Sequence, residues 1–167
     1  MKALLLSVRP EHAIKILNGE KTLELRKGVP KGFEGWVYVY VTKGKIYLGK
    51  YLDTGRLRLS SEVGFNDLNA TIPFRFWFDE FDIITPMYSY SSGIKELYYD
   101  VNVERRLKLC LEDEEINNYG KGKDLYAWHI KKLEVFDKPM KLGEFQNYIR
   151  LEQLIKAFLG PKKKKVI

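Results

Sequence analysis

The 167-residue chain is 45% apolar and 31% charged, which excludes a fibrous or disordered protein and suits a single globular domain over residues 1–167. One cysteine, Cys110, leaves no internal disulfide and no cysteine-built metal cluster. With only His12 and His129 besides, neither a metal nor another cofactor is expected. No apolar run reaches the roughly 20 residues of a membrane-spanning helix, and no signal-peptide pattern follows Met1, so a cytoplasmic protein without a membrane partner is expected.

The first residues predict a strand at Leu4 to Val8 and a short helix opened by Pro10, with Ala13, Ile14 and Leu17 on one face. Gly19 is placed to end that helix in the left-handed conformation. Thr22 to Arg26 then alternates, so Leu23 and Leu25 share one face while Glu24 and Arg26, about 7 Å apart, share the other. Lys27 to Glu34 is a Gly/Pro turn. Gly35 to Thr42 is apolar on both faces and predicts a central strand. Ile46–Leu52 and Arg56–Leu59 form two strands around the turn Asp53-Thr54-Gly55, and Ser60 to Pro73 is a loop. Phe74 to Ile84 reads as one long aromatic strand, Thr85 to Gly93 as a Tyr/Ser loop, and Ile94 to Cys110 as a helix on partial helical spacing. Leu111 to Tyr119 is an acidic helix ending at Gly120, and Leu125 to Val135 is a strand pair or one long bent strand. Asp137-Lys138-Pro139 is expected to turn the chain before an amphipathic helix at Arg150 to Leu159.

The formal net charge of +7 is uneven: residues 1–50 sum to +6, residues 51–120 to −6 and residues 121–167 to +7. If the two ends lie side by side, a basic face suited to phosphate opposes an acidic one. Lys21, Glu24 and Arg26 converge after the first helix, either as a polar cluster for phosphate or a base edge, or as an ion network closing the corner. Glu24 and Arg26 compensate each other, so loss of Lys21 is expected to spare the fold. Tyr38, Tyr40, Thr42, Lys43 and Lys45 interleave aromatics with cations, fitting either base stacking or a tyrosine core. Trp128-His129 offers a residue that titrates near neutrality, or a histidine serving structure alone. The tail Gly160 to Ile167, with Lys162 to Lys165, reads as a basic extension or edge strand and also fits a nuclear-import signal.

Gly19-Glu20-Lys21-Thr22-Leu23-Glu24-Leu25-Arg26 resembles the G-x-K-x-x-E-x-R signature of the ASCH domain family, within the PUA-like superfamily. The lead-in Leu5 to Glu11, the block Val37 to Lys45, and Lys123 to Ile130 followed by Phe136 to Pro139 are similar to ASCH proteins of phages and prophages, in the same order. The resemblance implies an α+β fold: a single-domain, partly closed β-barrel with short flanking helices and a cleft beside the first helix. It also implies a prokaryotic or phage source and nucleic acid, RNA above DNA, as partner. Lys21, Glu24 and Arg26 would line the cleft, with Ser7, Arg9, Tyr40, Lys43, Trp128 and His129 as further candidate contacts.

One ASCH branch resembles N4-acetylcytidine amidohydrolases, which pair a Lys two residues after the Gly with a Thr and a distant Glu. Lys21 matches that Lys, whereas Glu24 occupies the Thr position. Glu112, Glu114 and Glu115 are loose candidates for the distant Glu. A hydrolase of acylated nucleosides or of RNA, with Lys21 and Glu24 as catalytic groups, therefore stands as the alternative. An interaction module with a purely structural corner is the third reading, and nothing in the sequence bears on oligomeric state.

Overall fold

A computed structural model describes residues 3–51, 54–62 and 67–146. The amphipathic helix expected at Arg150 to Leu159 and the Lys162–Lys165 tail lie outside these residues. Strand β1 (Leu4–Val8) leads into α1 (Pro10–Leu17), which buries Pro10, Ala13 and Ile16, and Gly19 follows at φ +76°. Next come β2 (Leu23–Arg26), β3 (Gly35–Val41), and the antiparallel pair β4 (Tyr47–Lys50) and β5 (Leu57–Ser60). The aromatic region forms β6 (Thr71–Phe78) and β7 (Phe81–Ile84), followed by β8 (Pro86–Ser91) and β9 (Ile94–Tyr99). Two helices, α2 (Val103–Leu109) and α3 (Asp113–Gly120), precede β10 (Leu125–His129) and β11 (Lys131–Lys141), and residues 142–146 are helical.

The main sheet runs β1-β3-β6-β11, with β1 parallel to β3 and the other neighbours antiparallel. Strand β3 is internal, as its two apolar faces predict. Val37, Val39 and Val41 pack with Ala13 and Ile16 of α1, while Tyr38 packs on the opposite side with Ile72 and Phe145. A second sheet, β2-β10-β7, covers a core of Leu23, Leu25, Ile84, Leu109, Ile116 and Leu125. The architecture is mixed α+β, and among the described residues the strand ladders form four sheets without a closed circuit.

The two larger sheets share a bent ribbon. The chain leaves one sheet after Phe78 and enters the other at Phe81, and it crosses back between His129 and Lys131. The single strand expected at Phe74 to Ile84 is therefore two. Asp79 and Glu80 break it, and both are held by the Lys131 ammonium at 2.8 Å. Strands that bend from one sheet into another make the corners of a β-structure. The bent-strand reading of Leu125 to Val135 fits this crossing.

Three further expectations are corrected. Thr85 to Gly93 is no loop: β8 pairs with β9 across Ser92 and Gly93, whose φ values of +51° and +80° form the primed turn that matches strand twist. Ile94 to Cys110 is a helix only over α2, where the Asn102 side chain accepts from the Arg105 amide at 2.8 Å. Asp137-Lys138-Pro139 does not turn the chain away. It lies inside β11, where a register shift between Val135 and Met140 accommodates it as an irregularity on an edge strand. Parts of the two basic terminal segments do lie together, since β2 pairs with β10, although β1 and β11 occupy opposite edges of the main sheet.

Candidate functional site

After Gly19 the chain folds back on α1, and the Glu20 and Lys21 amides both reach the Lys15 carbonyl, at 2.9 and 3.0 Å. Thr22 then donates to the Lys108 carbonyl at 3.0 Å, tying β2 to the end of α2. This drives the Lys21 side chain inward, where it is 2% exposed and its ammonium donates to the Leu109 carbonyl at 2.5 Å. A cation is favoured there, among the unpaired carbonyls of a helix C-terminus. Lys15 reaches the neighbouring Cys110 carbonyl at 3.4 Å.

Alternation places Glu24 and Arg26 on one face of β2, and the turn before the strand brings Lys21 to Glu24. Its carboxylate, 6% exposed, lies 2.9 Å from the Arg26 guanidinium through one oxygen and 3.5 Å from the Lys21 ammonium through the other. Arg26 also donates to the Ser7 carbonyl at 2.8 Å, bridging β2 to β1. Burial pulls Lys21 below its ordinary lysine value, with Glu24 opposing the shift. His12, on α1, is lowered from its ordinary 6.5 by burial first and by Lys21 second.

This corner forms one wall of an open cleft of roughly 600 Å³. Ser7 and Arg9 lie along it, with His12, Lys21, Glu24, Arg26 and Thr42. The facing side comes from α3 through Glu115, Asn118 and Tyr119. Three buried polar atoms around it lack a hydrogen-bond partner: His12 Nδ1, Glu24 Oε2 and Arg26 Nε. Buried polar groups are rarely left unsatisfied, and each costs roughly 1–3 kcal/mol. Here they offer a ligand a carboxylate acceptor, a guanidinium donor and an imidazole nitrogen.

The fold has known counterparts. The structure superposes on the ASCH protein of Zymomonas mobilis with a TM-score of 0.54 at 16% identity, over 87% of this chain and 78% of that one. Two single-substitution variants of that protein give TM-scores of 0.53 and 0.54 at 13% and 14% identity, covering 88% and 87% of this chain and 81% and 78% of theirs. The fold is that of the ASCH proteins. The sequence matches no family model and no curated protein.

Within this ASCH fold five of the residues read from sequence line one cleft: Ser7, Arg9, Lys21, Glu24 and Arg26. The other four do not line it. Tyr40 packs with the Tyr38 and Ile72 cluster on the opposite face of β3, and Lys43 is exposed in the loop beyond. Trp128 is a core residue against Phe78, ring centroids 4.7 Å apart, with its indole donating to the Gly28 carbonyl at 3.2 Å. His129 lies 3.3 Å from Asp82 and 3.9 Å from Glu80, carboxylates that also pair with Arg105 and Lys131.

Of the three candidate glutamates, Glu115 lines the cleft. Its carboxylate accepts from the Glu112 amide at 2.9 Å, which starts α3 in the manner of a capping box. Thr42, read from the sequence with Tyr40 and Lys43, also lines the cleft, whereas His12, Asn118 and Tyr119 are lining residues that the sequence reading missed. For His12 a signal existed, because it is one residue before the buried Ala13 on a short amphipathic helix. The others meet the corner only through tertiary folding.

Proposed function

We propose that the protein binds RNA, seating a single-stranded nucleotide in the cleft between the Lys21-Glu24-Arg26 corner and α3. The observation that carries this reading is that His12, Glu24 and Arg26 line one open cleft, with His12 Nδ1 and Arg26 Nε buried there without a hydrogen-bond partner and Glu24 Oε2 holding only its 3.5 Å ion pair to Lys21. A nucleobase edge carries donors and acceptors side by side and answers such a set. Tyr119 adds a ring on the cleft wall, with Lys27 over it at 4.8 Å, for stacking beside a phosphate-seeking cation. Arg9 and Arg26 supply further positive charge. The bent ribbon and its two sheets serve in this reading as a partly closed barrel that holds β1 and β2 at the cleft.

Titration of labelled single-stranded RNA against wild type and Arg26→Gln, at low and moderate salt, tests the proposal. Wild-type affinity is expected to fall steeply with salt. Arg26→Gln is expected to weaken binding about 10-fold or more, as loss of a charge-assisted hydrogen bond does. Equal binding by the two proteins, or none by wild type at low salt, would overturn it.

A hydrolase of the N4-acetylcytidine type is the second reading. Glu24 stands where that branch has a hydroxyl, yet the Thr42 side of the cleft carries one, and Glu115 brings a carboxylate opposite Lys21. A lowered lysine pKa favours the free amine that such chemistry uses. Acetate release from N4-acetylcytidine by wild type, abolished in Glu115→Gln, would replace the binding reading with this one.

A further inference from the structure

The β8–β9 hairpin shows a different kind of surface. Tyr88, Tyr90 and Lys95 share one face by the ladder register, in which Tyr90 is paired with Lys95 and Tyr88 with Leu97. Tyr90 is 74% exposed, and the Lys95 ammonium lies 3.9 Å from the Tyr88 ring centroid. The Tyr90 ring stands mostly in water on a two-stranded arm, and the Tyr88 ring beside it is half-exposed. A lysine against one of them supplies the cation of a stacking platform.

The arm is anchored where α3 ends. The Tyr99 hydroxyl donates to the Lys123 carbonyl at 2.7 Å, and Gly122 approaches the Tyr88 hydroxyl so closely that a Cβ there would sit 3.1 Å from it. Exposed Lys121 and Lys123 flank that glycine. Glu96 lies on the other face of the hairpin, paired with Ser89, and Asp124 adjoins the two lysines, so cations remain in excess on the tyrosine side. Helix α3 therefore touches both places: Tyr119 lines the cleft, and the next residues meet the hairpin.

We propose that the Tyr88/Tyr90 face of this hairpin, with Lys95, Lys121 and Lys123, is a second subsite that stacks the bases and holds the phosphates of nucleotides flanking the one in the cleft. This rests on the RNA reading of the cleft. A strand leaving past Tyr119 meets rings and ammonium groups in succession, which suits single-stranded RNA without demanding a sequence.

The test compares two probes, a randomised single-stranded RNA of about ten nucleotides, long enough for both subsites, and the four ribonucleoside 5′-monophosphates. The double variant Tyr88→Ala/Tyr90→Ala is expected to bind the longer RNA more weakly by roughly 30-fold or more, as loss of two stacked rings implies. It should bind the monophosphates as wild type does, and Tyr88→Phe/Tyr90→Phe should restore the longer RNA. Unchanged affinity of the alanine variant for the longer RNA overturns the inference. So does a wild type that binds the longer RNA no more tightly than a monophosphate. If sedimentation shows a dimer that the alanine variant dissociates while RNA affinity stays the same, the face binds a second copy of this chain and the RNA subsite is refuted. Arg26→Gln separates the two proposals. If it leaves both probes unchanged while the tyrosine variant weakens the longer RNA, the cleft reading fails and the hairpin subsite stands.

Discussion

Lys21→Ala tests how the corner is built. The ammonium is held by the Leu109 carbonyl, and the side chain is 2% exposed. Its removal strands that carbonyl at a cost of roughly 1–3 kcal/mol. Glu24 loses the farther of its two cations, at 3.5 Å, and keeps Arg26 at 2.9 Å, so the full penalty of a buried unpaired charge, about 3–5 kcal/mol, is not reached. The lost aliphatic stem adds a small cavity. Together the substitution should destabilise the protein by about 2–4 kcal/mol. For a chain of this length that lowers the melting temperature by roughly 4–15 °C. Lys21→Met keeps the stem and should recover part of the loss. Thermal and urea melts followed by circular dichroism measure both. A Lys21→Ala protein melting within about a degree of wild type would refute this account of the corner and restore the expectation, drawn from the sequence, that the lysine is dispensable for folding.

Two other outcomes are expected. His12 is lowered from its ordinary 6.5, so between that value and its folded-state pKa the unfolded chain binds a proton that the native state refuses. Stability should therefore fall as pH drops below 6.5 and level off once His12 itself protonates. Urea midpoints of wild type should show this fall relative to His12→Asn, and parallel pH curves would count against it. Gly120→Ala should destabilise by roughly 1–3 kcal/mol or more, because a Cβ at this buried helical position would overlap the Tyr99 ring, itself tied to the Lys123 carbonyl. A melting temperature equal to wild type would show that Tyr99 is free to move.

The corner was legible because it is local. The spacing from Gly19 to Arg26 sets a helix end, a turn and an alternating strand, and local geometry carries Lys21, Glu24 and Arg26 to one place. The central position of β3 was legible because only a strand covered on both sides tolerates Val37, Val39 and Val41 against Tyr38. The β8–β9 hairpin was not, because Ser89, Ser91 and Ser92 gave β8 the composition of a loop. The one local signal was Ser92-Gly93 between two short alternating runs. The break at Asp79-Glu80 was hidden for another reason: the apolar alternation resumes immediately in a different sheet, and the crossing shows only in the partners, Trp77 with Lys131 on one side and Phe81 with Trp128 on the other. Trp128 and His129 fall in a separate block, Lys123 to Ile130, that resembles the same family, yet the ladder turns one into the core and the other toward Asp82.

Charge counted along the chain hides one feature of the cleft. The acidic middle of the sequence reaches it, since its helix α3 adds Glu115 to a lining that includes Lys21 and Arg26. The lining thus holds both signs, and what it offers a ligand depends on which atoms are already paired. Lys21 is committed to the Leu109 carbonyl and holds α2 to β2. Arg26 Nε and His12 Nδ1 lack hydrogen-bond partners, and Glu24 Oε2 has only the 3.5 Å ion pair to Lys21, a condition that lowers stability. Under the proposed binding function the corner divides its labour: the lysine secures the fold, and its neighbours keep the groups on which a ligand would act.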